Sequence, residues 1–217
     1  MRALAADWLR RIFRSAPGVS AEETRWVILD CESSGLDPRS DSLLAIGAVA
    51  LQDGRIALDS GFSVVLRQDA PSEPSNIVIH GVSGGQQMEG VESVDALRAF
   101  ADYAGEARLV AFHASFDQEL LGRALRGAGM KMRNRWLDLA ALAPALHPER
   151  ARRCKALDDW LEAFGIENPA RHAALADAYA TAQLFQVLLA GAREQGAHTG
   201  TDIFRAAAAG RWLAGGR

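Results

Sequence analysis

Two carboxylates stand one residue apart at the end of an apolar segment that has the length of a β-strand. The segment is Trp26-Val27-Ile28-Leu29, and the acids are Asp30 and Glu32. Residues i and i+2 of a strand point to the same face of a sheet, so both side chains should project side by side and Cys31 should point into the core. Adjacent carboxylates repel each other unless a positive charge lies between them, and a hard divalent cation is the obvious candidate. Taken alone, the pair is better interpreted as two solvent-facing acids at a strand end.

Two further acids and a histidine could reach the same place. Asp117 follows a short apolar strand and stands near the start of a helix, and Asp177 lies in the first part of a long helix, five residues after His172. Residues i and i+5 on one helix are about 140° apart, so His172 should lie in the loop or first turn before that helix if both are to reach one site. The alternative for His172 is a capping or surface histidine.

Apolar patterns and turn residues predict the elements that would position these side chains. After the first strand, apolar runs at 43–51 and 55–66 are joined by Asp53-Gly54, which is a strong signal for a two-residue hairpin. A fourth, short strand is predicted at 109–112, and the order of elements is that of an α/β protein with an antiparallel beginning. Helices are predicted at 3–15, 93–103, 116–128, 137–146, 156–164, 173–192 and 202–213.

Composition limits the classes of function. The chain has 217 residues, 49% of them hydrophobic and 24% charged, with a net charge of −3, which fits one globular domain that is not a polycation. Any binding of nucleic acid would therefore need a local patch or metal ions. The only two cysteines, Cys31 and Cys154, make a disulfide framework unexpected and favour a cytoplasmic location. We expect no membrane span, because no apolar run approaches about 20 residues.

Three segments around these candidate residues resemble the motifs of the DEDDh 3′→5′ exonucleases, the family of the proofreading epsilon subunit of bacterial DNA polymerase III and its stand-alone relatives. The first motif, D-x-E-[ST]-[ST]-G, stands as Asp30-Cys31-Glu32-Ser33-Ser34-Gly35. The second is matched by His113-Ala114-Ser115-Phe116-Asp117, and the third, H-x4-D-A, begins at His172. An Ile-His-Gly segment of the family is matched at Ile79-His80-Gly81. The motifs occur in the family's order over roughly residues 25–190.

The resemblance implies a ribonuclease H-like α/β fold, with a mixed five-stranded sheet flanked by helices. It divides the chain into an N-terminal helical extension at 1–24, an exonuclease domain at 25–190 and a short C-terminal helical extension at 191–217. The implied activity is hydrolysis of terminal phosphodiester bonds of DNA, in proofreading, repair or end trimming, with release of nucleoside 5′-monophosphates. The implied cofactors are two divalent cations, Mg²⁺ or Mn²⁺, because oxygen ligands favour these ions over zinc.

The resemblance also implies a role for each residue. Asp30 would bridge the two ions, Glu32 and Asp177 would complete one ion site, Asp117 would support the other, and His172 would accept a proton from the attacking water. The residues that would contact the substrate are Ser33, Ser34, Gly35, Leu36, His80, His113 and Phe116.

Three positions depart from the family pattern. The family usually has Asn where His113 stands, often His where Phe112 stands, and often Glu where Ala45 stands. These departures bear on substrate contacts and rate more than on the type of reaction.

Several alternatives remain open in the sequence. The motifs do not separate a DNA exonuclease from an RNA exonuclease of the oligoribonuclease or ribonuclease T type, and a non-catalytic nucleic-acid-binding module on the same fold is a third possibility. The expected partner is the 3′ end of a nucleic acid, most of all single-stranded DNA. A stand-alone enzyme or homodimer is preferred over a polymerase subunit, because 191–217 lacks a Pro/Gly-rich tail.

A basic stretch at 121–155 is open to two interpretations. It holds nine Lys or Arg residues against two acids, and it could track a phosphate backbone or form a solvated helical face. Asp138, one of the two acids, is interpreted as a helix cap. The alternative is that its side chain makes a hydrogen bond that supports the active site.

Overall fold

The computed structural model describes residues 19–21 and 24–215, so the helix predicted at 3–15 lies outside the described residues. A five-stranded mixed sheet forms the centre of the fold, in the order β3-β2-β1-β4-β5. The pairs β1–β2 and β2–β3 are antiparallel, while β1–β4 and β4–β5 are parallel, as expected for the predicted mixed sheet. The strands are β1 (Trp26–Ser33), β2 (Leu43–Gln52), β3 (Arg55–Val65), β4 (Arg108–Ala111) and β5 (Trp136–Asp138).

Eight helices flank this sheet within the described part of the chain, and none of them is long and apolar enough to cross a bilayer. They are α1 (Pro74–His80), α2 (Gly84–Glu89), α3 (Ser93–Ala104), α4 (Ala114–Gly127), α5 (Leu139–Leu146), α6 (Leu157–Ala163), α7 (Ala174–Glu194) and α8 (Gly200–Gly215). The last six match predicted helices to within a few residues. The sequence patterns did not predict α1 and α2, because helices of six or seven residues are too short to show a periodic apolar face.

The helix predicted at 137–146 was wrong at its start. Leu137 and Asp138 belong to strand β5, where Leu137 is buried opposite Val110 of β4. A three-residue strand is too short to be recognised from alternation. The helix starts at Leu139, and Asp138 caps it by accepting a hydrogen bond from the N–H of Ala140 at 2.9 Å. The cap interpretation of Asp138 is therefore confirmed.

The alternation of β1 builds an apolar layer on each side of the sheet. Trp26 and Ile28 are buried on one face, in a cluster that includes residues of α5, α7 and α8. Val27, Leu29 and Cys31 are buried on the other face, against α3 and α4. Asp30 and Glu32 continue the first series, so both carboxylates emerge on the face that α7 covers.

A glycine lets the start of α7 lie directly on the sheet beside Asp30. Gly47 of β2 is the cross-strand partner of Asp30. A Cβ atom on Gly47 would lie 2.1 Å from both the carbonyl carbon of Ala174 and the backbone nitrogen of Leu175. No side chain fits in that space. The absence of a side chain at Gly47 therefore allows the helix that carries Asp177 to lie close to the sheet beside β1.

We predict that Gly47→Ala lowers the free energy of unfolding by roughly 1–3 kcal/mol, the usual cost of overpacking, because the backbone of α7 must move. The matched control is Gly61→Ala on β3, where a new Cβ would meet only a side-chain carbon of Leu175 at 3.5 Å, an ordinary contact. Urea unfolding of both variants measures the difference. Equal stabilities would show that the contact at Gly47 does not constrain α7.

Candidate active site

Three carboxylates meet where β1 ends and α7 begins. Asp30, Glu32 and Asp177 each place one carboxylate oxygen so that all three atoms lie within 4.8 Å of one another. Glu32 is buried, and its Oε1 atom has no hydrogen-bond partner among the described residues. A buried oxygen without a donor, beside two other carboxylates, fits a hard divalent cation such as Mg²⁺ or Mn²⁺.

Asp117 reaches the same strand from the opposite layer of the fold. It lies in the first turn of α4, is buried, and accepts a hydrogen bond at Oδ1 from the backbone N–H of Cys31 at 3.0 Å. Cys31 itself is buried in the apolar cluster, as the sequence predicted. Asp117 therefore stands next to the cluster of three carboxylates without being one of its members.

Burial, together with nearby negative charges, raises the pKa of Asp30, Glu32 and Asp117 in the metal-free protein. Burial raises the pKa of Asp30 well above its ordinary value, and the charges of Asp117, Glu32 and Asp177 raise it further. Burial, followed by the charges of Asp177 and Asp117, raises the pKa of Glu32 to about 7. Burial also raises the pKa of Asp117 to about 7, although its hydrogen bonds act in the opposite direction. A bound cation would reverse the repulsion and favour the ionised forms.

Asp177 is oriented by two donors that precede it in the chain. The backbone N–H of His172 donates to Oδ2 at 2.8 Å, and the side-chain amide of Asn168 donates to Oδ1. His172 is exposed and lies in the turn before α7 with a left-handed φ of 62°, which agrees with the predicted position outside the helix. Asn168 gives no signal in the sequence, because a single Asn before a proline carries no motif.

The Ile79-His80-Gly81 segment packs against the turn that contains His172. Gly81 has a φ of 68°, and a Cβ atom there would lie 2.8 Å from the carbonyl oxygen of His172. His80 is buried, and its Nδ1 accepts a hydrogen bond from the N–H of Val82 at 3.1 Å, while no atom of residues 19–21 and 24–215 is a hydrogen-bond partner of Nε2. Burial lowers the pKa of His80, so its imidazole is neutral and carries the proton on Nε2.

The loop after β1 is shaped by its own side chains. The hydroxyl of Ser33 donates to the carbonyl of Gly35, and the hydroxyl of Ser34 accepts a hydrogen bond from the N–H of Ser42 at 2.9 Å. A Cβ atom on Gly35 would lie 2.6 Å from Oδ2 of Asp41, so a larger residue there would require the carboxylate of Asp41 to shift. The side chain of Leu36 is 89% exposed at the tip of this loop, free to contact a ligand.

The two remaining candidate residues of the second motif lie in different surroundings. His113 is exposed at the N-cap position of α4 with a φ of 60°, and its N–H donates to Oδ1 of Asp138 at 3.0 Å. Asp138 thus caps α5 and also anchors His113, so both interpretations of it apply. Phe116 is half-buried against the apolar layer that contains Leu120, and it is not part of the carboxylate cluster.

Comparison with known proteins identifies relatives of this chain. A family model described as an exonuclease, RNase_T, matches residues 27–185. The PolC-type DNA polymerase III of Thermotoga petrophila is 30% identical over 168 residues, which are 76% of this chain and 12% of that protein. A DNA polymerase III subunit epsilon-like protein of Rhodobacter capsulatus is 30% identical over 181 residues, which are 82% of this chain and 25% of that protein. The chain thus spans a quarter or less of these relatives.

Solved structures share the fold. The structure of E. coli exonuclease I in complex with a dT13 oligonucleotide has a TM-score of 0.69 to this chain at 16% identity, and the match covers 79% of this chain and 42% of that one. This similarity confirms the predicted ribonuclease H-like fold.

We predict that Glu32 destabilises the metal-free protein increasingly as the pH rises from about 4.5 to about 7. The pKa of this group is higher in the folded than in the unfolded protein, so its favourable contribution is complete below about 4.5 and is lost as the pH passes about 7. The Glu32→Gln variant should therefore become more stable relative to the wild type, measured as free energy of unfolding, as the pH rises through this window. Urea unfolding in EDTA measures it, with Glu162→Gln, an exposed acid on α6, as the control. A pH-independent difference would contradict the raised pKa.

We also predict that Asn168→Ala weakens Mn²⁺ binding by about tenfold, because loss of a residue that orients a metal ligand usually costs at least that much. Calorimetric titration of Mn²⁺ without substrate measures the affinity. Glu167→Ala, at the exposed neighbouring residue, should bind Mn²⁺ as the wild type does. Identical affinities for both variants would show that the bond from Asn168 to Asp177 does not prepare the site.

Proposed function

This chain belongs to the exonuclease family, and we propose that it is a 3′→5′ exonuclease that hydrolyses terminal phosphodiester bonds of DNA and releases nucleoside 5′-monophosphates. The observation that carries the proposal is the cluster of oxygens from Asp30, Glu32 and Asp177 within 4.8 Å, with a buried and unpartnered Glu32 oxygen. A purely structural cluster would leave three repelling carboxylates without compensation. The complete set of acids also speaks against a non-catalytic binding module.

The proposed cofactors are two divalent cations, Mg²⁺ or Mn²⁺. Asp30, Glu32 and Asp177 would hold one ion, and Asp30 together with Asp117 would hold the other. When bound, such a pair supplies charge stabilisation for the attacking and leaving oxygens of a phosphodiester. The raised pKa values of Glu32 and Asp117 mean that the site releases protons when it is loaded.

His172 is the proposed acceptor of the proton from the attacking water. Its backbone N–H donates to Asp177, which holds the turn that carries His172 next to this carboxylate, and the residue is exposed to water. A histidine can exchange protons near neutral pH, which suits a general base. The contact between Gly81 and the carbonyl of His172 fixes this turn from the other side.

The loop at 33–36 would hold the 3′-terminal nucleotide, with Leu36 against the terminal base. The side-chain amide of Asn76 on α1 donates to the carbonyl of Ser34 at 2.7 Å, so this loop and the His80 segment form one continuous wall. The neutral His80 offers an Nε2 proton that has no partner in the described part of the chain, which suits a phosphate or sugar oxygen. His113, exposed at the start of the helix that carries Asp117, would also contact the strand.

The proposed substrate is single-stranded DNA, with RNA as the alternative that the carboxylates alone do not distinguish. DNA is favoured because the relatives are named as DNA polymerase III proteins and the structural neighbour was solved with dT13. A polymerase partner is also consistent with those names, and a homodimer is the alternative assembly.

We predict that Asp30→Asn and Asp177→Asn each reduce cleavage by on the order of 10³-fold or more, because each removes a ligand worth several kcal/mol of transition-state stabilisation. The assay follows 5′-labelled single-stranded DNA and RNA of equal sequence with Mg²⁺, with Mn²⁺ and with EDTA. A metal-dependent ladder that shortens from the 3′ end is expected for the wild type and for the control Asp59→Asn, which changes an exposed acid on β3. Full activity of Asp30→Asn at unchanged thermal stability would refute the proposed active site. Faster cleavage of RNA than of DNA would make RNA the proposed substrate.

A further inference from the structure

A groove runs along helix α4, whose first turn carries Asp117. It lies between α4 and the edge strand β5 and has a volume of about 500 Å³. At one end it is lined by Ser115, two residues before Asp117, and at the other end by Met132 and Asn134. Because α4 runs antiparallel to the strands beside it, this groove connects the catalytic end of the sheet with the opposite end.

A second groove adjoins the first. It has a volume of about 560 Å³, lies between the end of α3 and the segment 131–135, and shares Met132 and Asn134 with the first groove. The side-chain amide of Asn134 donates to the carbonyls of Gly105 at 2.8 Å and Ala107 at 2.7 Å. These bonds hold the segment in place, so its side chains are presented from a fixed backbone.

The second groove is strongly cationic although the chain has a net charge of −3. Its lining includes four basic residues and one acid, Glu106, and the basic residues are Arg108, Lys131, Arg133 and Arg135. Among the described residues, no carboxylate forms a salt bridge with any of these four. Arginines elsewhere on the surface do have such partners, for example Arg67 with Glu92 and Arg98 with Asp95 at 3.0 Å.

Two of these arginines are held close together against an aromatic ring. The guanidinium carbons of Arg108 and Arg135 lie 5.8 Å and 4.1 Å from the centroid of Phe204. Arg108 is packed against Gly200 and donates one hydrogen bond, to Oγ1 of Thr24 at 3.0 Å. Burial and then the charge of Arg135 lower the pKa of Arg108. The repulsion between the two groups would be relieved by an anion in the groove.

The first groove adds surfaces that suit nucleobases. Trp136 of the edge strand is half-buried and lines this groove together with Gln118 and Gly122. The first groove is also lined by Arg126, but the charge of this side chain is paired with Glu119, with 3.2 Å between Nη2 and Oε1. Single strands are commonly bound by stacking of bases on aromatic side chains combined with a basic groove for the phosphates.

We propose that these two grooves, from Ser115 to Arg135, form an upstream track for the single strand whose 3′ end is in the active site. Bases stack on Trp136, and the phosphates further from the 3′ end bind Lys131, Arg133 and Arg135. Eleven residues of helix separate Ser115 from Arg126, a rise of about 16 Å. A stacked strand advances about 3.4 Å per nucleotide, so about five nucleotides span this distance. The inference rests on the proposed exonuclease function. Within the basic stretch at 121–155, it assigns strand binding to the residues that line the grooves and not to Arg152 and Arg153, which line neither groove.

The track is tested with the double variant Lys131→Gln/Arg133→Gln, because both side chains are exposed. The matched control is Arg152→Gln/Arg153→Gln, which removes the same charge from two exposed residues outside the grooves. KM is measured for single-stranded DNA of 3 and 15 nucleotides. The KM for the 15-mer should rise about tenfold more than that for the 3-mer in the first variant, while the control variant should show no such length dependence. An equal change for both lengths would overturn the track.

Binding is measured separately from cleavage, so that a failure of the proposed function can be told from a failure of the track. Fluorescence anisotropy of a labelled 15-mer gives Kd in EDTA over a range of salt concentrations. Each phosphate contact on a single strand contributes roughly 0.7 to the slope of log Kd against log salt. Loss of two contacts should therefore reduce this slope by about 1.4. A reduced slope supports the track even if no strand is cleaved, whereas an unchanged slope and an unchanged Kd overturn it even if cleavage is normal.

Discussion

Mutual repulsion among Asp30, Glu32, Asp117 and Asp177 is the constraint on which the site depends. One strand supplies the first two acids, and helices from opposite faces of the sheet bring the other two to its end. Burial raises the pKa values of both Glu32 and Asp117 to about 7, and for Glu32 the charges of Asp177 and Asp117 add to the effect of burial. The folding free energy of the rest of the chain must hold these groups together, and the same repulsion makes the site a binding place for divalent cations.

The approach of α7 to the sheet is set by close backbone contacts. Gly47 allows the start of α7 to touch β2 opposite Asp30, and Gly81 allows the end of α1 to touch the carbonyl of His172. Hydrogen bonds from the His172 N–H and from Asn168 then orient Asp177. A site built from such contacts is prepared before any ion or strand binds, so little reorganisation is required during the reaction.

Charge is segregated along the strands, although the net charge is small. The carboxylates lie at the carboxyl end of β1, while Arg108 and Arg135 lie at the amino ends of β4 and β5. In the proposed function, metal ions would bind the scissile phosphate at the acidic end. The basic end would hold phosphates further along the same strand, and α4 would set the distance between the two.

The sequence by itself determined what depends on near neighbours. Alternation in β1 placed Asp30 and Glu32 on one face, Asp53-Gly54 closed the β2–β3 hairpin, and the spacing to Asp177 placed His172 before its helix. Only the tertiary structure decided which of the four acids share one cluster, that Phe116 packs into the apolar layer, and that Asn168 and Gly47 support the site; those contacts join separate segments. The tertiary structure also determines the short elements β5, α1 and α2. Segments this short show no periodic pattern in the sequence and are stabilised by packing against the rest of the fold.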